Sequence, residues 1–378
     1  MSGTTAFNHR SVLSASLTMF LSLGSLLMLA WVFHGRDISH ANAASVQDIG
    51  TWAVVSSPVP ITYSLNSVAA VSNSDGWAVG SKGHGPNGVS YGPFILHWDG
   101  NKWSQVPISG TMPFDDLESV IMVSANDAWA VGGGDWWGDS FGSTLHWDGN
   151  TWDKMGEDLS YLKSVAAVSA GDVWAVGVYQ HTQLTIPRTT IFGSATTHWN
   201  GNTWEGLITI GRSGLNSVAM VSTDDGWAVG YRTWVYPPGE FQSLILHWDG
   251  KGWTKVSVPG TASLMSVAMV SPNDGWAVGK EGAILRWDGS TWSPVSSPVT
   301  VTLYSVAMVS SADGWAVGDI GTILHWDGSV WSQVTSPVTQ TLKSVTMISA
   351  NEGWAVGKEG TILHYTNFKR MYLPLVVR

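Results

Sequence analysis

From Thr51 onward the chain alternates short apolar runs with polar turns, and the alternation repeats as a unit. Each unit opens with an apolar segment such as "SVAMVS" and passes through a polar turn into "GWAVG". It continues to "ILHWDG" or a relative and ends in a tryptophan-bearing segment such as "VWSQV". By periodicity these are four β-strands, A to D, separated by Gly, Asp, Ser and Pro turn signals. Asp-Gly between C and D is a hairpin signal, because glycine tolerates the positive φ that such a turn needs. "WAVG" begins at Trp77, Trp129, Trp174, Trp227, Trp276, Trp315 and Trp354, at intervals of 39 to 53 residues. That is the spacing of propeller blades, so the chain is predicted to be all-β, a seven-bladed β-propeller of four-stranded blades.

The two ends complement each other. The seventh unit stops after strand C at "TILHYTNF", while "TWAVVSSPVPITYSLNSV" from Thr51 matches the D strand and following loop of "VWSQVTSPVTQTLKSV". The N-terminal segment is therefore expected to supply the missing strand of blade seven and close the ring, which removes the exposed ends an open stack would have to cap.

Ahead of the repeat, residues 12–33 form an uncharged run of 22 residues, long enough to span a bilayer as a helix. Ala41-Asn42-Ala43 has the small-x-small form of a signal cleavage site. Residues 1–43 thus read as a signal peptide or an N-terminal membrane anchor, 44–366 as the propeller and 367–378 as a tail too short to span a membrane. Both readings export the propeller to a secreted or cell-surface location, with a membrane contact only through an uncleaved 12–33.

"GWAVGDIGTILHWDGSVW" resembles the repeat of propellers of the photosystem stability and assembly factor type and, more distantly, the Asp-box repeats of sialidases. The resemblance covers residues 50 to 365 and implies a propeller that binds without catalysis. Asp327-Gly328-Ser329-Val330-Trp331 is one residue shorter than the Asp-box pattern Asp-x-Gly-x-Thr-Trp. Sialidase activity would call for an arginine cluster, and only Arg188, Arg212 and Arg232 lie near one another in sequence.

Most of the 24 tryptophans are scaffold. Seven belong to "WAVG", six precede the C–D turn and seven lie in strand D from Trp52 to Trp331, placed to form cross-strand C–D pairs. Histidine precedes the C-strand aromatic at His97, His146, His198, His247, His325 and His364, with Arg286 in blade five. Because an arginine takes the same place, and strand C is far from the axis, hydrogen bonding within a blade is expected there, not a metal site. The A–B turn acids Asp75, Asp127, Asp225, Asp274, Asp313 and Glu352, with Asp172 out of step, are expected to bond their own turns.

What remains lies in one connection. From the "WAVG" tryptophan to the histidine position the distance is 10 residues in blades five to seven but 20, 17, 24 and 20 in blades one to four. The extra length falls between B and C, on one sector of one face, and is expected to form long loops, "GGGDWWGDSF" from Gly132 among them. Loops on a rigid scaffold commonly carry binding. The candidate ligand-binding residues are Tyr91, Asp135, Trp136, Trp137, Asp139, Tyr179, His181, Trp234, Tyr236 and Glu240. Phe94, Phe141, Phe192 and Phe241 are expected to pack beneath the loops.

With 18 Lys and Arg against 28 Asp and Glu, the net charge of -10 argues against nucleic acid, and the lack of cysteine removes thiol chemistry. Aromatic platforms beside carboxylates suit a glycan or a protein at the cell surface. The expected function is a monomeric, non-catalytic, exported binding platform that uses no cofactor and no metal. The alternative is a glycoside hydrolase or lyase on the same scaffold, drawing two carboxylates from Asp115, Asp116, Asp135, Asp139 and Glu240.

Overall fold

The computed structural model describes residues 50–85, 90–109, 116–136, 139–158, 160–183, 189–233, 241–260 and 262–367. The apolar run 12–33 and the tail from 368 lie outside the described residues, among which no helix is long and apolar enough to cross a membrane.

Seven four-stranded antiparallel sheets follow one another, each in the order A-B-C-D. In blade one these strands are Ser64–Ser72, Asp75–Ser81, Pro93–Trp98 and Trp103–Val106. The A strands stand side by side around the axis. Blade seven takes A, B and C from Leu342–Ser349, Glu352–Gly357 and Ile362–Thr366, and its D strand from Thr51–Val54. Trp52 lies opposite Tyr365, so the ring closes on the N-terminal strand as the sequence predicts.

The "WAVG" motif is a set of instructions for joining blades. Its tryptophan is buried in every blade and packs against the C and D aromatics of the next one. Trp77 meets Trp147 at 4.8 Å and Trp152 edge-on at 5.2 Å, and the last joint has Trp354 against Trp98 and Trp103. In the joint between blades six and seven, Trp315 meets Tyr365 and Trp52. Burying an indole removes ~150 to 250 Å² from water, worth roughly 4 to 6 kcal/mol, and well-oriented ring pairs add ~0.5 to 1.5 kcal/mol. The glycine of the motif is required for a different reason. A Cβ on Gly80 would stand 1.9 Å from the Ser64 carbonyl oxygen, and the same clash recurs at Gly132, Gly177, Gly230, Gly279, Gly318 and Gly357.

A bulge runs through all seven A strands. The register slips between Leu65 and Ser67, leaving Asn66 unpaired, and in the same place in every other blade. The slip turns the serine toward the neighbouring blade, where its hydroxyl accepts a backbone N–H. Ser67 accepts from Val120 at 3.2 Å, Ser119 from Val165, Ser164 from Val218, Ser217 from Val267, Ser266 from Val306 and Ser305 from Val345. Ser344 accepts from Val68 and completes the cycle.

The recurring histidines and the A–B turn acids prove to be one device. His97 Nε2 lies 2.8 Å from Asp75 Oδ1, and the pair recurs as His146–Asp127, His198–Asp172, His247–Asp225, His325–Asp313 and His364–Glu352. Asp172 is therefore in step with the others, contrary to its reading from sequence. In blade five Arg286 Nε donates to Asp274 at 3.3 Å, and its guanidinium lies 5.2 Å from the Trp276 ring centroid. On the same face, Asp288 and Asp327 cap their C–D turns by accepting two backbone N–H bonds and a serine hydroxyl each. These bonds hold both carboxyls down at about 2. A depressed carboxyl of this kind supports the fold fully above the ordinary carboxylate range, and that support is lost as pH falls toward 2.

Trp52→Ala is expected to destabilise the ring by about 3 to 5 kcal/mol in urea unfolding, because it opens a cavity in the closing joint. Val54→Ala, on the same strand but 59% exposed, is expected to cost less than about 0.5 kcal/mol.

Candidate functional site

The B–C and D–A connections emerge on one face, and the seven B–C connections divide that face in two. In blades five to seven each is a single tight turn, Lys280–Gly282, Asp319–Gly321 and Lys358–Gly360. Their middle residues Glu281, Ile320 and Glu359 are left-handed at φ 58°, 56° and 59°. In blades two to four those extra residues that are described do not form loose loops. They lengthen the B and C strands into hairpins that rise above the ring, Asp127–Trp136 with Asp139–Trp147, Asp172–Gln183 with Thr189–Trp199, and Asp225–Thr233 with Phe241–Trp248.

"GGGDWWGDSF" is thus strand and not loop over most of its length. Asp135 pairs with Ser140 and Trp136 with Asp139, leaving 137 and 138 as the connection. The physical reason is that an insertion continuing the ladder satisfies its own backbone donors and acceptors, which outweighs the weak strand preference of glycine. The register brings Trp136 opposite Asp139. Trp137, Trp234, Tyr236 and Glu240, and the side chains of Asp135, Trp136 and Asp139, lie outside the described residues.

Of the remaining candidates, Tyr91 is 61% exposed and lies over Gly85 in blade one. Tyr179 and His181 are two residues apart on one strand of blade three, with ring centroids 6.4 Å apart and planes inclined by 29°. Phe94 is buried and packs on Tyr63 at 5.1 Å, as a loop-supporting ring should. Phe192 departs from that expectation: it is 37% exposed, because it lies beyond the first residues of strand C on the raised part of the hairpin. Tyr231 folds over Gly214, where only the absent side chain leaves room, and burial pushes its hydroxyl pKa up.

The connection of blade one continues the pairing in part, through backbone bonds from Lys82 to Gly92 and from Tyr91 to Gly83 and a bridge between His84 and Ser90, and it is also tied down by a side chain. Asp116, a buried residue at the start of blade two, accepts from Ser90 Oγ at 2.5 Å and lies 3.0 Å from His84 Nε2. Asp116 is thereby committed to holding a loop. Among the described residues no three histidine or carboxylate side chains converge on one point.

Two of the concavities in this scaffold matter here. One, of about 330 Å³, lies at the step from blade four to blade five and is lined by Ser243, Pro259, Leu264, Lys280, Ile284 and Val295 among others. The other, of about 320 Å³, lies on the axis and is lined by the bulge residue and the serine of every blade, with Tyr161. These lining residues are dispersed along the sequence, and the fold gathers them. The signal is present but slight: in the repeated x-Ser-Val of strand A, x is Asn66, Glu118, Lys163, Asn216, Met265, Tyr304 and Lys343.

A seven-bladed β-propeller whose B–C connections differ between its two halves is the class that the fold defines. No protein-family profile matches the sequence, and no curated protein matches it. Among solved structures the chain is similar to one described as YCF48 bound to D1 peptide, at 18% identity and a TM-score of 0.61 over 84% of this chain and 97% of that one. It is also similar to YCF48 from Cyanidioschyzon merolae, at 15% identity and 0.57 over 83% and 98%. The RRP9 WD40 repeats match at 10% identity and 0.61 over 84% and 98%. At these identities the likeness is one of fold.

Asp116→Asn is expected to weaken its bonds to His84 and Ser90 and so to speed hydrogen exchange across residues 82–92 about tenfold, while the melting temperature changes by no more than a few degrees. Hydrogen exchange read by mass spectrometry beside thermal unfolding checks both halves of this expectation.

Proposed function

We propose that this chain is an exported, non-catalytic platform that binds an extended segment of a partner protein on the face bearing the B–C connections. The step in height across that face supports the reading. Hairpins raised over blades two to four form a wall, the single turns of blades five to seven form a floor, and the groove of about 330 Å³ runs where they meet. Its lining is mainly apolar, from Pro259, Leu264, Ala283, Ile284 and Val295, with the charged Lys280 and Glu281 beside it. A groove of that composition suits a peptide, whose side chains bury apolar surface while its backbone reaches polar groups at the edge. The YCF48 structure holding a D1 peptide gives a precedent for a propeller of this kind with a peptide ligand.

The ligand-binding residues in this reading are Tyr91, Asp135, Trp136, Trp137, Asp139, Tyr179, His181, Trp234, Tyr236 and Glu240, with tryptophan and tyrosine as the anchors. One observation favours binding over glycoside hydrolysis, which needs two free carboxyl groups flanking the scissile bond. Asp116, the acid buried beneath this face, already serves His84 and Ser90. Export rests on residues 12–33 and the Ala41-Asn42-Ala43 site, and the platform works as a monomer at the cell surface or beyond it.

The purified full chain is to be titrated against arrayed peptides and arrayed glycans beside a Trp136→Ala, Trp137→Ala, Trp234→Ala triple variant. Saturable peptide binding that weakens at least about thirtyfold in the triple variant, with its melting unchanged, is the expected result, since a central aromatic anchor is worth ~2 kcal/mol or more. Binding confined to glycans, or peptide binding indifferent to the three tryptophans, contradicts the proposal.

A further inference from the structure

The axial cavity is a donor-rich chamber in an acidic protein. Each of the seven A-strand serines spends an oxygen lone pair on the valine N–H of the next blade. That leaves its O–H proton to donate, and among the described residues no acceptor for these protons is in place. All seven serines line the cavity. Three bulge residues that line it are charged, namely Lys163, Lys343 and Glu118, so the charged groups of the wall sum to +1 while the chain as a whole carries -10.

The single negative group is already engaged. Tyr161 donates its hydroxyl to Glu118 Oε1, and burial together with the Glu118 charge pushes the Tyr161 pKa well up, so the phenol keeps its proton. The cations are less well served. Lys343 Nζ donates to Asn66 Oδ1 at 2.8 Å, but the sole bond of Lys163 Nζ among the described residues is a long one of 3.4 Å to Asn216 Oδ1. Both asparagines are fixed by their own Nδ2 groups, which donate to the carbonyls of Leu117 and Leu264. Lys163 touches the cavity, yet protein surrounds it closely enough that burial lowers its pKa, with Lys280 adding to the effect and Glu118 opposing it. An ammonium in that position lacks a compact acceptor.

We propose that the axial cavity is a binding site for a small oxyanion, of the size of phosphate or a short dicarboxylate, held by Lys163 and Lys343 with hydroxyls of the serine ring completing its shell. A volume of about 320 Å³ admits such an anion with attendant water. The bulge lies near the start of strand A, so the site opens toward the face that carries the B–C hairpins. The inference is independent of the peptide-binding reading, since none of its residues lines the groove between blades four and five.

Calorimetric titration of the full chain with inorganic phosphate and with succinate, at ionic strength matched with chloride, tests the site. The unaltered protein is expected to bind one anion per chain saturably. Lys163→Met with Lys343→Met is expected to abolish binding while the chain still melts cooperatively. Glu118→Gln keeps an acceptor for Tyr161 but removes the opposing charge, so it is expected to bind on the order of tenfold more tightly, a gain that misfolding cannot imitate. No saturable heat from the unaltered chain, equal binding by the double lysine variant, or weaker binding by Glu118→Gln would each overturn the proposal.

Discussion

The interaction on which the structure depends is the seating of each "WAVG" indole on the two aromatic rings of the following blade. A single four-stranded sheet has two apolar faces and cannot bury both alone. The indole turns one face into a socket for the neighbour, and seven repetitions bring the chain back to its start. The final joint is made by residues from both ends, Trp52 and Tyr365 against Trp315, so ring closure and chain closure are the same event. Every other regularity serves this joint. The histidine stacked 4.1 to 4.4 Å from its indole is fixed by an acid of the A–B turn, and the glycine ending the motif lets strand A approach closely enough to share the core.

Because the joints are made by buried groups, the face above them is free to vary. Blades five to seven use three-residue turns there, whereas blades two to four extend the same two strands upward by continuing the ladder. The scaffold thus supplies a rigid ring and an uneven rim, which is the condition for a directional binding face. The bulge supplies a second kind of freedom. It commits serine and valine to blade-to-blade bonding and leaves the residue before them to face the axis, so each blade contributes one side chain of any type to a central chamber.

How much of this the sequence carries depends on whether the cause is a side chain or the backbone. The blade count, the strand order and the completion of blade seven from Thr51 follow from Trp77 through Trp354 and from the match of "TWAVV" to "VWSQV", because apolar periodicity and turn residues are local signals. The histidine and acid positions are visible as two separate patterns, and only the fold brings His97 to Asp75. Asp172 stands two residues before Trp174, the same offset as the other six acids from their tryptophans, so its place in the pattern is legible in the sequence although the residues around it differ. The hairpin at Gly132 to Phe141 is read as a loop because glycine weakens strand propensity, while the ladder that overrides it is a tertiary effect. The bulge leaves almost no trace, since an extra backbone residue changes pairing and not composition. Its mark is the single varying position before Ser-Val, which runs from Glu118 to Lys163 to Met265 without apparent rule until the cavity is seen.

If the indole joints bind the blades into one cooperative ring, loss of one joint must be felt by all seven. Hydrogen exchange of Trp276→Ala against the unaltered protein, followed by mass spectrometry strand by strand, measures this directly. A rise in exchange of similar free energy in the B strands of every blade, including blades one and two on the far side of the ring, is what the account predicts. A rise confined to blades five and six, with Asp75–Ser81 and Asp127–Trp136 exchanging as before, would contradict it and make the propeller a chain of independent neighbours.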